Sequence, residues 1–265
     1  MKAIAFCIAL LITGCVVLAG CTSAPPAPAP ATPAAAQDTH PHYTIGVDPD
    51  FPPFTMQDHA GNFTGFDIDA ARIVAEQQGF EVSFTAVRWD DALPALESGK
   101  IDLLWSGLTI SPERSARVNF SVPYYRVNRS IAVREGSGYT MEDFHAGRLR
   151  IGAQNGTGEV GWVQANLIAS GRMPAANLSL YPDVTSLTTA LADGSVDASF
   201  AQTPAQAVAI RGKPLVVIGN TGTEYSCAVA MRKTDPALQA AIDTGLSRLM
   251  ADPAWERLRA HYGLA

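Results

Sequence analysis

From Tyr43 onward, short apolar runs alternate with stretches whose apolar positions recur every three to four residues, the pattern of strands interleaved with helices. Tyr43 to Val47 reads as a strand, Asp67 to Gln78 as an amphipathic helix closed by Gly79, and Phe80 to Val87 as the next strand. A second helix, Asp90 to Ser98, ends at Gly99, and the apolar run Ile101 to Trp105 follows as a buried strand. Helices between strands supply the crossovers that parallel neighbours need, so the expected class is α/β with largely parallel sheets.

The pattern then repeats. Leu96-Glu97-Ser98-Gly99-Lys100-Ile101-Asp102 is matched 95 residues later by Leu191-Ala192-Asp193-Gly194-Ser195-Val196-Asp197, each being helix end, glycine, one residue, β-branched residue, aspartate and strand. Both strands run into a new helix start, Ser111-Pro112 in one copy and Thr203-Pro204 in the other, with a hydroxyl for the N-cap and proline at the first helical position. Two lobes of like topology are the economical explanation. Asp102 and Asp197, at corresponding strand entries, are assigned local structural roles.

The first 42 residues follow other rules. Lys2 precedes eighteen uncharged residues, Ala3 to Gly20, which end in Leu18-Ala19-Gly20-Cys21. A basic start, an apolar stretch and small residues before a cut site make a secretory signal, and the last four residues resemble the bacterial lipobox, in which the cysteine is lipidated. The same run also just reaches membrane-spanning length, so an uncleaved anchor is the other reading. Residues 22–42 hold six prolines and seven alanines, a composition that favours extended polyproline II over a packed core. His40 and His42 sit at its end with no third ligand nearby in sequence, and no metal constellation is expected.

Composition narrows the function. The 265 residues are 47% hydrophobic and 17% charged, enough to bury one large or two modest cores, and the formal charge is −6. No basic cluster offers phosphates a surface, so nucleic acid is excluded as a partner. Of four cysteines, Cys7 and Cys15 fall in the signal, Cys21 takes lipid, and Cys227, in the apolar run Tyr225 to Ala230, reads as a buried inert thiol.

Two lobes outside the cytoplasm put a ligand site in the cleft between them, at strand C-termini and helix N-termini. Arg114 lies in Ser111-Pro112-Glu113-Arg114, in a first helical turn, where the helix dipole disfavours a cation. A bound anion explains it, and pairing with Glu113, Asp90 or Asp91 is the structural alternative. In the second lobe a strand Leu149 to Ala153 leads into Asn155-Gly156-Thr157-Gly158 and a helix from Glu159, where glycines admit close backbone approach and Thr157 offers its hydroxyl and N–H. Gly156-x-Gly158-x-x-Gly161 imitates a dinucleotide fingerprint, but its first glycine does not follow the strand at once, as the tight turn requires, so no nucleotide cofactor is expected.

Asp48-Pro49-Asp50-Phe51-Pro52-Pro53-Phe54, Gly61 to Asp69, Trp89, Glu97 to Asp102, Ser111 to Arg114, Phe120 to Tyr125, Gly156-Thr157-Gly158 and Asp252-Pro253-Ala254-Trp255 stand in an order that resembles family 3 extracellular solute-binding proteins, the polar amino-acid receptors of ABC importers. The resemblance covers residues 43–265. It implies a type II periplasmic-binding-protein fold: two α/β lobes, 43–128 with 223–265 and 129–222, joined by crossover strands near 125–132 and 221–227 and closing over the ligand. Residues 1–20 are then the signal, and residues 21–42 the lipidated cysteine and tether. Carried over, Arg114 binds the ligand carboxylate with backbone amides near Thr109 and Thr157, Phe51 and Trp89 sandwich its side chain, Asp48 faces the side-chain end, and Ser106 and Gly107 offer carbonyls to an amine.

The departure is Gln202, before Thr203-Pro204, where amino-acid receptors of this family carry an aspartate for the α-ammonium. Glutamine accepts a hydrogen bond but cannot neutralise a buried ammonium, so either another carboxylate, such as Asp48 or Glu159, supplies the charge, or the ligand lacks an α-amine. The resemblance implies a monomeric, cofactor-free, metal-free and non-catalytic receptor, lipid-anchored at Cys21 in the periplasm or on the outer face of the cell membrane, that hands a small carboxylate, foremost an amino acid, to an ABC permease. A cyclohexadienyl dehydratase-like enzyme on the same fold is the alternative.

Overall fold

Glycine and capping signals mark the element ends in residues 40–265, the part of the chain that the computed structural model describes. The signal sequence, Cys21 and residues 22–39 of the proline-rich segment lie outside the described residues. The first strand, β1 (His42–Val47), leads through a small three-stranded antiparallel sheet (Asp50–Phe51, Thr55–Gln57, Phe63–Thr64) to α1 (Phe66–Gln78). Gly79, left-handed at φ 70°, ends α1 with its N–H on the Ala75 and Glu76 carbonyls, a conformation that favours glycine.

There follow β2 (Glu81–Ala86), α2 (Ala92–Glu97), β3 (Leu103–Leu104), α3 (Pro112–Arg117), β4 (Asn119–Phe120) and β5 (Tyr125–Val127). The expected helix Asp90 to Ser98 is a single 3-10 turn, Trp89–Asp91, and then α2. Next come β6 (Arg129–Arg134), α4 (Met141–His145), β7 (Ile151–Gln154), α5 (Gly158–Val163), β8 (Leu178–Tyr181), α6 (Val184–Asp193), β9 (Ala198–Gln202), α7 (Thr203–Ala209) and β10 (Leu215–Asn220). The chain returns through β11 (Tyr225–Cys227) and β12 (Ala230–Met231) to α8 (Pro236–Ala251) and α9 (Pro253–His261).

Two five-stranded sheets result, in the orders β2-β1-β3-β12-β4 and β8-β7-β9-β6-β10. In each, three parallel strands are followed by an antiparallel one: β12 against β3 in the first, β6 against β9 in the second. Between the sheets β5 and β11 run antiparallel, Tyr225 opposite Val127 and Cys227 opposite Tyr125, as two crossover strands. The expected α/β class with two lobes and two crossovers is the architecture observed. Each sheet buries its own apolar set, Ile45, Phe66, Leu103 and Trp105 in one and Ile131, Phe144, Ile151 and Phe200 in the other.

The repeat is exact in function as well as sequence at the two aspartates. Asp102 accepts the Thr44 N–H (2.9 Å) within β1, and Asp197 accepts the Arg150 N–H (3.0 Å) just before β7, each tying a strand entry to the neighbouring strand. The helix caps differ. Ser111 Oγ accepts the Arg114 N–H (3.2 Å) as expected, whereas Thr203 is already the first residue of α7 and its buried Oγ1 has no partner among the described residues. Gln202 takes the cap position instead, and its Nε2 donates to the Gly107 carbonyl of the other lobe (3.0 Å).

Candidate functional site

Asp48 follows β1, Ser106 and Gly107 follow β3, Gln154 ends β7 and Gln202 ends β9, so the strand C-termini of both sheets converge on one crevice, as open α/β sheets direct. Between them lies a narrow cavity of about 20 Å³. Of the nine candidate residues, Phe51, Trp89, Ser106, Thr109, Arg114, Thr157 and Gln202 line it, together with Gln154, Gly158, Glu159, Val184, Phe200 and Ala201. Asp48 and Gly107 stand one layer behind this lining.

Arg114 is 7% exposed, and burial pulls its pKa below the ordinary guanidinium value. Its Nη1 donates to the Thr109 carbonyl (2.7 Å) and Oγ1 (3.0 Å), and its Nη2 to the Gly156 carbonyl of the other lobe (3.0 Å). The structural alternative for this arginine fails: Asp90 and Asp91 pair with Arg88, and among the described residues no ion pair involves Arg114. Glu159 acts on this buried cation only through space, and the cation's hydrogen bonds go to carbonyls and a hydroxyl, which leaves a guanidinium without a direct carboxylate partner able to take up an anion.

Phe51 and Trp89 lie with their rings nearly parallel, 13° apart in plane and 6.4 Å apart in centroid, and Phe51 is backed by Phe54 (5.6 Å, 17°). Gly107, at φ 58°, fits under this wall, since a Cβ there would come to 2.7 Å from Phe51 Cε1. The Gly107 carbonyl accepts from Gln202 Nε2 (3.0 Å), so it is engaged across the cleft rather than open to an amine. The Ser106 hydroxyl, a different group from the carbonyl expected to meet an amine, bonds with the Asp48 N–H (3.1 Å) and Thr55 Oγ1 (2.6 Å). The Thr157 hydroxyl donates to the Gln154 carbonyl (2.7 Å), which uses one of the two donors that the sequence offered to a ligand and leaves the backbone N–H as the other.

Asp48 is separated from the cavity by Gln154, whose Nε2 donates to its Oδ2 at 2.6 Å. Burial raises the Asp48 pKa to about 6, and the bonds from Asp50 N–H and Gln154 only partly oppose the shift. Gln154 escaped the sequence reading although it ends a parallel strand, the position where a ligand contact is expected. Gly158 plays a part different from the one expected: a Cβ there would overlap the guanidinium of Arg129, which pairs with Glu159 at 3.4 Å. Cys227 is fully buried, its thiol pKa pushed up by burial, and takes no part in chemistry here.

The ABC transporter arginine-binding protein 1 of Escherichia coli K12 is 26% identical over 220 residues, 81% of this chain and 87% of that protein. The crystal structure of an ancestral amino acid-binding protein, a precursor of cyclohexadienyl dehydratase, is 29% identical, covers 83% of this chain and 95% of its own, and superposes with a TM-score of 0.74. An ancestral arginine-binding protein bound to arginine is 27% identical over 84% of this chain and 99% of that one, with a TM-score of 0.76. These relatives are named as arginine- or amino acid-binding proteins, and the two solved structures share the fold of this chain. Residues 43–265 match the sequence profile of the bacterial extracellular solute-binding proteins, family 3, and the chain belongs to that family.

Proposed function

We propose that this chain is the substrate-binding component of an ABC importer, a non-catalytic receptor that captures a small carboxylate-bearing solute of the amino-acid class in the cleft and delivers it to a membrane permease. The observation that carries this reading is Arg114, a buried guanidinium with no carboxylate partner among the described residues, set in a cavity between two lobes. The ligand carboxylate binds Arg114 beside Thr109 and Thr157, and Phe51 and Trp89 hold its side chain. Asp48 and Gln154 together face the side-chain end, while Ser106, Gly107 and Gln202 form the wall toward the amine.

In this proposal residues 43–128 and 223–265 form one lobe and residues 129–222 the other. Residues 1–20 are a signal sequence, and Cys21 carries the lipid that holds a monomeric body, through a proline-rich tether, at the periplasmic or outer face of the membrane; the tether is shorter than the 22–42 expected, because His42 already pairs with Glu81 in β1. A thermal-shift screen of the purified protein against amino acids, keto acids and dicarboxylates tests the reading: a stabilising ligand without turnover supports it. The second reading, a dehydratase on this scaffold, draws on Glu159, a buried carboxylate that lines the cavity and suits a general acid. Turnover of prephenate in the same preparation would replace the receptor by that enzyme.

A further inference from the structure

We infer that Glu159 is the residue that receives the α-ammonium group of the solute, the role that a neutral Gln202 leaves vacant. The assignment rests on the receptor reading above and deepens it. Glu159 is the one carboxylate among the described residues that lines the cavity, since Asp48 stands behind Gln154. Its side chain is 4% exposed, and its Oε1 has no hydrogen-bond partner. Arg129 lies 3.4 Å away through Nε, and that nitrogen also lacks an acceptor, so the two charges face one another without a formed hydrogen bond.

Arg129 is held where it is by other contacts. Its guanidinium lies 3.5 Å from the centroid of the Tyr225 ring, and the missing side chain of Gly158 makes the space it occupies. It therefore lowers the cost of a buried Glu159, whose Oε1 faces it without a formed hydrogen bond. Gln202 Oε1, equally buried and unpartnered, lines the same cavity. An ammonium brings three donors to this wall and meets two open acceptors, one of them charged, while its carboxylate goes to Arg114. The counter-charge has thus moved from the end of β9 to the first turn of α5.

The test is calorimetry on the full chain with matched probes: L-arginine and argininic acid, L-glutamate and L-2-hydroxyglutarate, L-phenylalanine and L-phenyllactate. For the pair that binds, the amino acid is expected to bind at least about 10-fold tighter than its 2-hydroxy analogue, the value of one charge-assisted bond. Glu159→Gln should weaken the amino acid by about 10- to 100-fold and leave the hydroxy acid within about threefold, so the preference collapses. Because that variant strands Arg129, the double variant Arg129→Gln/Glu159→Gln is measured beside it and should show the same collapse. A preference that survives in either folded variant, or a wild-type protein that binds the 2-hydroxy acid as tightly, overturns the assignment while Arg114-dependent binding keeps the receptor reading. If none of the six probes binds the wild type, the receptor reading falls and the assignment with it.

Discussion

Arg114 Nη2 donates to the Gly156 carbonyl at 3.0 Å, a hydrogen bond that spans the cleft and ends on the glycine loop ahead of α5. One guanidinium thus serves two ends: its Nη1 is anchored in its own lobe on Thr109, and its Nη2 reaches the lobe that must close. Arg114→Ala should remove both the carboxylate grip and this link, weakening the best ligand by about 100-fold or more. Isothermal titration decides it, and affinity retained within about threefold would sink the site.

Gln154 and Asp48 make a second link across the cleft at 2.6 Å. Gln154→Met keeps the length of the side chain, removes the donor, and leaves a buried carboxylate oxygen exposed to an apolar group. Ligand dissociation should quicken by about 10-fold, with a smaller change in association, because closure rather than encounter is impaired. Stopped-flow fluorescence can follow it through Trp89, which lines the cavity. An unchanged off-rate would mean that the bond does not contribute to the closed state.

Much of this fold was legible because its signals are local. The apolar spacing and Gly79 set α1 to within one residue, and the paired Gly-x-β-branched-Asp segments announced two copies of one strand entry, made by Asp102 and Asp197. What escaped depends on distant partners. Gly158 is explained by Arg129 from a strand nearly thirty residues earlier, and the Thr157 hydroxyl goes to Gln154 instead of a ligand. Gln154 itself hid at the end of an apolar strand with nothing in its spacing to separate it from a core residue, and Thr203 looked like a cap until the helix was seen to begin on it.

Gln202 tests the charge logic from the other side. Its Nε2 is spent on Gly107, and its Oε1 has no partner. Gln202→Asp gives up the Gly107 bond and places a second carboxylate at the amine end. Affinity for an α-amino acid should rise by about 10-fold, and affinity for its 2-hydroxy analogue should not. Competition binding with the matched pair reads the difference; equal shifts in both would show that the position does not face the amine.

Asp67 sets a pH dependence that is separate from binding. It is fully buried at the start of α1, where its Oδ2 accepts the Gly107 N–H (2.6 Å) and the Tyr124 hydroxyl (2.8 Å), so it holds the loop that lies under Phe51. Burial raises its pKa from 3.8 to about 7, and the two hydrogen bonds do not fully offset this. A carboxylate whose folded pKa is raised takes up its proton more readily in the native state than in the unfolded chain. Its contribution to stability is therefore complete below about pH 4 and is lost as the pH rises through 7, and Asp48, raised to about 6, acts in the same direction. From these two groups the unliganded protein should lose on the order of 2–4 kcal/mol between pH 5 and pH 8. In Asp67→Asn the amide oxygen can accept both bonds and the group no longer titrates. Urea denaturation of wild type and variant at the two pH values should show a flatter dependence for the variant, and parallel slopes would remove Asp67 as the origin.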